Sequence, residues 1–340
     1  MNGWKAKREN SETLVFRPGS LLIAYKFTMH PFTDKIEKLA FHKRTDSSMF
    51  KAYAWLTFCV VVWGSNFVFG KILVQSFSPA LLTFLRLVFI VLFLIALSYK
   101  KQLSRINKTD VIVIFFLGFI GVFINQWSFF EGLQTADPTT SALILATTPI
   151  LTSVLAAIFL KERLSTRMIF GSIVAIVGIF FVVTKGSLSS LHVEIGLLWI
   201  VVTMVTFAIM IIMTRVLSQR IDPLMITLYS NVVGLFISIF FAFSLDNPLQ
   251  ISSNITDWGL LIGTAVIVHG LATLIWNSNI RHVDASKASI LSNLEPFVAM
   301  IFGLILLFKP ITGVEIVGSI FIVGGVVLST YQRKQLYSQK

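Results

Sequence analysis

Charge is what this sequence has least of. Only 13% of its 340 residues are Asp, Glu, Lys or Arg, about half the roughly 25% of an ordinary soluble domain. Hydrophobic residues make up 55%, and a mean hydropathy of +0.83 excludes a soluble globular fold. Cysteine is nearly absent: Cys59 alone can form neither an internal disulfide nor a thiolate metal site. No His-Glu-x-x-His pattern and no paired intramembrane aspartates are present, so no metal site and no catalytic set is expected. Period-2 alternation is missing too, which excludes a transmembrane β-barrel. Gly64-Ser65-Asn66-Phe67-Val68-Phe69-Gly70-Lys71 looks like a phosphate loop. It has five residues between its glycines, and Ile72 stands where Ser or Thr belongs. Without a legible nucleotide site or cofactor, any pumping must run on gradients.

What the chain does have is apolar runs of about 20 residues, the length a helix needs to cross a bilayer. Ten spans are expected: Tyr53–Phe69, Pro79–Tyr99, Val111–Phe130, Pro138–Leu160, Met168–Thr184, Ile195–Met213, Leu224–Leu245, Trp258–Trp276, Ala285–Phe308 and Thr312–Thr330. The net charge of +12 then reads as the basic bias of cytoplasmic loops, and no nucleic-acid partner is expected. With the N-terminus inside, the inner connections collect Lys100, Lys101, Arg105, Lys108, Lys161, Arg163, Arg167, Arg215, Arg220, Arg281 and Lys287. The outer ones keep only Lys71, Lys185 and Lys309. Both termini are therefore expected in the cytoplasm of a multi-pass protein of the cell membrane. Residues 1–50, with breakers at Pro18-Gly19 and His30-Pro31, read as a mostly disordered cytoplasmic extension. Met49, just before the first span, is an alternative start that would leave residues 1–48 outside the native chain. Residues 332–340 form a cytoplasmic tail.

The chain repeats itself. A shift of 147 places Asp137 on Asp284, Pro149 on Pro296, Gly171-Ser172-Ile173 on Gly318-Ser319-Ile320, and Gly178 on Gly325. Upstream the shift drifts to 144, where Pro79 meets Pro223. Residues 51–185 and 194–331 are thus expected to be two repeats. Five spans is an odd number, so the second repeat must enter the membrane from the opposite face. The expected fold is an all-α membrane protein of ten transmembrane helices in two inverted-topology five-helix repeats. That architecture is typical of secondary transporters, where two near-equivalent halves supply states open to opposite sides.

Polar residues inside the spans mark candidate sites. Pro149 and Pro296 fall in mid-span, where each would bend its helix and free the carbonyl four residues back, at Leu145 and Ser292. Glu295 is the one carboxylate at the centre of a span. It is expected either to take part in proton or cation coupling or to pair with Arg86. His269, Thr273, Trp276 and Asn277 share one helical face. Asn125 and Gln126 in the third span, with Asn66, Asn231 and Asn293, add amides that suit a zwitterionic or weakly polar solute. Gly171, Gly178, Gly318 and Gly325 make smooth strips for helix packing or a homodimer contact.

Trp63-Gly64-Ser65-Asn66, Arg86, Thr148-Pro149, Leu160-Lys161-Glu162-Arg163-Leu164-Ser165 leading to Gly171 and Gly178, Glu295-Pro296, and Gly318 with Gly324-Gly325 are similar to the drug/metabolite transporter superfamily. The chain resembles proteins with two EamA-type domains over roughly residues 52–331. The resemblance implies ten helices, cytoplasmic termini, alternating access and movement of a small solute, commonly export of amino acids or other metabolites. Broad drug efflux, an uptake permease, a lipid scramblase and a non-transporting sensor are the alternatives. One departure is visible: Phe308-Lys309-Pro310 stands where similar proteins carry an acidic residue.

Overall fold

A computed structural model describes residues 31–100, 106–161, 165–184, 194–244, 249–279 and 291–330, with residues 31–50, 277 and 330 as backbone alone. The chain divides into two units, Met1–Lys51 and Ala52–Lys340, and the second contains the apolar helices. Among the described residues there is no strand. Eight helices are long and apolar enough to cross a membrane: α1 (Lys51–Leu73), α2 (Pro79–Ser98), α3 (Lys108–Thr135), α4 (Pro138–Leu160), α5 (Thr166–Val183), α6 (Ile195–Leu217), α7 (Pro223–Ser244) and α8 (Ile255–Trp276). Two shorter apolar helices follow, α9 (Glu295–Leu306) and α10 (Gly313–Ser329). The first part of the ninth expected span, residues 285–290, lies outside the described residues. The helix that continues into α1 begins at Pro31. A proline at the first helical position has the right φ and loses no bond there. Exposed Phe159, Phe170, Ile176 and Phe240 form a surface that only lipid would cover.

The 147-residue register recurs as geometry. α3 widens into a π-helix over Leu117–Ile124, and α8 does so over Thr264–Leu271, the same positions shifted by 147. In α4, helix Pro138–Leu145 gives way to helix Thr148–Leu160 across a turn at Ala146-Thr147. α9 starts at Glu295 after the equivalent turn at Asn293-Leu294. The non-glycine residues with positive φ among those described, Lys161 (57°) and Phe308 (53°), are again equivalent, and Lys161 closes α4 as a left-handed cap.

The prolines therefore do something other than bend a continuous helix. Pro149 and Pro296 each stand in the first turn of a new segment, where the missing N–H is no loss. The Leu145 carbonyl, expected to be free, accepts from Thr148 Oγ1 at 2.5 Å, and the Ile144 carbonyl accepts from Thr147 Oγ1 at 2.6 Å. Hydroxyls on the chain itself thus close the broken end, as a lipid setting requires.

The most extensive helix contacts cross between the two repeats: α5 with α10, α2 with α7, and α3 with α6. α5 and α10 run antiparallel, with Gly171 against Gly325 and Gly178 against Gly318. Because 171 is equivalent to 318 and 178 to 325, each repeat offers the other the same patch, as a two-fold contact requires. A Cβ at Gly325 would lie 2.5 Å from both Ala175 N and Gly171 O. Gly324, one residue away, would meet nothing within 4 Å. Gly325→Leu should therefore lower the thermal midpoint of the purified protein sharply or abolish its folded yield, a cost of at least about 1–3 kcal/mol. Gly324→Leu should behave as wild type by the same measurement.

Candidate functional site

Arg86 is the eighth residue of α2, a helix started by Pro79 in which it is the one charged side chain and Thr83 and Ser98 the other polar ones. It is 1% exposed, so its guanidinium must find partners inside the protein. One terminal nitrogen, Nη2, donates to Asn66 Oδ1 of α1 at 2.9 Å and lies 2.8 Å from His269 Nδ1 of α8. The guanidinium also sits 5.3 Å from the centroid of the Phe130 ring on α3, within cation–π range. Its Nε has no hydrogen-bond partner. The expected ion pair with Glu295 is not formed: the structure gives Arg86 neutral partners instead. Glu295 is half-buried at the start of α9, and among the described residues no hydrogen bond or ion pair reaches its carboxylate.

The Trp63-Gly64-Ser65-Asn66 run explains how these groups come together. Gly64 packs on the first turn of α9, where a Cβ would lie 2.7 Å from Glu295 O. Asn66, on another side of α1, reaches Arg86. Trp63 Nε1 donates to Val268 O at 3.1 Å, a carbonyl in the π segment of α8, and its ring lies 5.0 Å from that of Trp276. π segments often accompany functional sites because the widened turn loosens the backbone ladder. Here it carries His269.

His269 lines a cavity of about 250 Å³ together with Leu94 of α2, Asp222, Leu224 and Thr227 at the start of α7, and Thr273 of α8. Asp222 accepts from Leu224 N at 2.9 Å and so caps α7. The cavity thus opens near the α6–α7 turn, on the side expected to be cytoplasmic. Other sequence candidates are placed differently. Asn125 donates to Thr203 O and Thr206 Oγ1 of α6 at 2.9 and 3.0 Å, which is a helix-to-helix tie. Gln126 and Asn293 are buried, with Gln126 Oε1 and Asn293 Nδ2 unpartnered. Asn231 donates back to Thr227 O. The Asn277 side chain lies outside the described residues. No group of three His, Cys, Asp or Glu that could hold a metal occurs among the described residues.

At the other end of the helices lies a feature that the sequence reading missed. Lys309 Nζ is 2.8 Å from Asp137 Oδ2 and 2.5 Å from Glu315 Oε1. Asp137 caps α4 by accepting from Thr140 N. Thr312 and Glu315 form a reciprocal capping box on α10, so the lysine joins two helix starts from different repeats. Burial lowers the Lys309 pKa, but Asp137 and then Glu315 more than offset this and hold it above the ordinary lysine value. Nearby, Lys71 Nζ donates to Gln134 O and Ala136 O, and Ser78 N donates to Gln250 O. The Thr312-x-x-Glu315 box was readable in the sequence; its meeting with Asp137 was not.

The model of the EamA-like transporter family matches residues 50–184 and again 194–331. The chain belongs to this family. It is 30% identical over 276 residues to a Bacillus subtilis protein named "Uncharacterized transporter YyaM", covering 78% of this chain and 89% of the relative. A second B. subtilis protein, "Uncharacterized transporter YetK", is 26% identical, with 84% and 88% covered. A Salmonella typhimurium relative at 23% identity, with 80% and 92% covered, is named "Probable amino-acid metabolite efflux pump". A solved structure described as "Crystal structure of protein" matches with a TM-score of 0.57 at 18% identity, covering 82% of this chain and 97% of the other; this likeness concerns the fold alone. The protein is thus a multi-pass membrane transporter of the EamA family, within the drug/metabolite transporters.

As an EamA transporter it must keep Arg86 satisfied within its membrane core. Asn66→Leu removes the only side-chain oxygen among the described residues that is bonded to the guanidinium. It should destabilise the folded protein by about 1.5–3 kcal/mol, as expected for a lost bond to a charged group, read as a lowered thermal midpoint. Asn66→Gln should recover part of the loss.

Proposed function

We propose that this protein is a secondary active transporter with ten membrane helices in two inverted repeats, exporting a small amino-acid-like metabolite by alternating access. The observation that carries the reading is the reciprocal glycine seam. An antiparallel helix pair whose contacts exchange 171 with 325 and 178 with 318 has a pseudo-two-fold axis across the helices. For helices that cross a bilayer, such an axis lies in the membrane plane, the relation found in transporters with inverted repeats. Both termini then lie in the cytoplasm of a cell-membrane protein, in keeping with the basic inner loops. The name of the S. typhimurium relative favours amino-acid metabolites as cargo.

In this reading the structure is the inward-open state. The cavity at His269 opens near Asp222, and the outer end is held by Lys309 between Asp137 and Glu315. The repeat makes this latch one-sided. The positions equivalent to Asp137, Lys309 and Glu315 are Asp284, Glu162 and Met168, a set that cannot make the same attraction. The outer end is therefore tied by a device that the inner equivalents lack, which biases the resting transporter toward the cytoplasm.

The function is tested by comparing metabolites inside and outside deletion and overexpression cells, followed by counterflow of the leading candidate in proteoliposomes. Export of an amino-acid-like solute with saturable counterflow is expected. Net uptake, wide drug resistance, gradient-free lipid exchange, or binding without flux would each replace the reading with another. Glu295→Gln should flatten the pH response of that counterflow; undiminished pH-responsive flux would remove Glu295 from proton coupling.

The latch is tested with Thr139→Cys, a position 3% exposed just below Asp137, labelled from outside by an impermeant thiol reagent. Lys309→Met should raise its labelling rate about five-fold, equivalent to about 1 kcal/mol, and Lys309→Arg should not. Because the Lys309 pKa is raised on folding, the latch is complete at neutral pH. It should be lost only as pH climbs through that raised value, well into the alkaline range.

A further inference from the structure

His269 and Arg86 together define which kind of chemical group the cavity receives. An arginine guanidinium keeps its protons under all ordinary conditions and can only donate. With Arg86 Nη2 2.8 Å from His269 Nδ1, that ring nitrogen must be the acceptor. The neutral imidazole then carries its proton on Nε2. No partner for Nε2 occurs among the described residues, and His269 is part of the cavity wall. The imidazole that lines the cavity thus has its donor on Nε2, with the Arg86 guanidinium bonded to its other nitrogen.

Among the described residues that charge has no counter-ion: no carboxylate pairs with Arg86. Its bonds go to an amide oxygen and an imidazole nitrogen, and its Nε is unpartnered while the residue is 1% exposed. A buried cation satisfied only by neutral groups gains most from an anion brought close to it. A cationic group placed at the same spot would be repelled. Size narrows the choice further. A volume of about 250 Å³ corresponds to roughly eight waters at about 30 Å³ each, hence to a solute of similar heavy-atom count. Leu94 and Leu224 supply apolar wall for its tail. Asp222, at the mouth, already accepts from the backbone of α7.

We infer that the cavity between α2, α7 and α8 is a docking site for the carboxylate of a small aliphatic monocarboxylate or amino acid, held by His269 Nε2–H and the Arg86 charge. The site takes its occupant from the transporter reading, yet it can be tested without any flux. The probes are three solutes of one shape and three charges: isovalerate, isovaleramide and isoamylamine. Thr273→Cys, in a Cys59→Ser background, reports occupancy through protection from a maleimide added to the cytoplasmic face of inverted vesicles. Isovalerate should protect at a concentration at least about ten-fold below isovaleramide, an advantage of about 1.4 kcal/mol, and isoamylamine should not protect.

Two variants separate the site from a general loss of fold. His269→Phe keeps a ring but removes the donor, and it should abolish the preference for isovalerate. Asn66→Asp gives Arg86 the carboxylate it lacks, so the protein should stay folded while the preference disappears. Equal protection by isovalerate and isovaleramide, or a preference that survives in both variants, would overturn the inference. Selective protection in a protein that shows no counterflow would uphold the site and defeat the transporter reading. Counterflow without selective protection would defeat the site alone.

Discussion

In lipid there is no water to drive apolar helices together, so the halves of this protein must be joined by close backbone packing. The α5–α10 seam does this. Gly171 and Gly178 face Gly325 and Gly318 at distances that no side chain could share. The reciprocity of these contacts makes the repeat a physical relation between two surfaces as well as a pattern of letters. The interleaving of α2 with α7 and of α3 with α6 follows the same pairing across repeats. Neither repeat is a free-standing body, and movement of one against the other must work through these shared faces.

Irregular backbone is placed where the polar groups are. A lipid-facing helix cannot break without leaving bare carbonyls and amides, yet α4 and the start of α9 break at equivalent turns, and α3 and α8 widen at equivalent segments. Two of these irregularities have a compensating partner nearby. Thr147 and Thr148 close the end of the first half of α4. Trp63 takes the Val268 carbonyl in the widened part of α8. The same widened segment holds His269 against Arg86.

Much of this was legible in the sequence, and the failures have physical causes. The 147-residue register could be read because prolines, glycines and Asp137 are rare enough to align without ambiguity. It anticipated Gly171, Gly178, Gly318 and Gly325, though not which glycine faces which. Arg86 and His269 stood out as polar residues in apolar runs, but pairing Arg86 with Glu295 followed charge alone and ignored that Asn66 lies nearer. Pro149 and Pro296 marked the right places, while Thr147 and Thr148 decided that the result is a break with closed ends. The π segments were invisible, because Leu117–Ile124 is apolar throughout or glycine and offers no periodicity to distinguish 3.6 from 4.4 residues per turn. Asn125 read as a candidate solute contact, and its amide donates to α6. Lys309 was noticed as a departure, but its role depends on Asp137, some 170 positions away, and only the fold brings them together.

Two near-equal halves do not require two equal gates. In the proposed orientation the outer end carries a lysine between two carboxylates that also cap helices, and the equivalent inner positions carry Asp284, Glu162 and Met168. Divergence at a few loop residues can thus set which way a symmetric scaffold rests. All of this depends on the second repeat being turned over in the membrane. The most direct measurement is the sidedness of three points in intact cells: single cysteines at the N-terminus, in the connection over residues 185–193, and at the C-terminus, labelled by an impermeant reagent. The inverted arrangement predicts that the connection is labelled and both termini are protected. One terminus labelled and the other protected would contradict it.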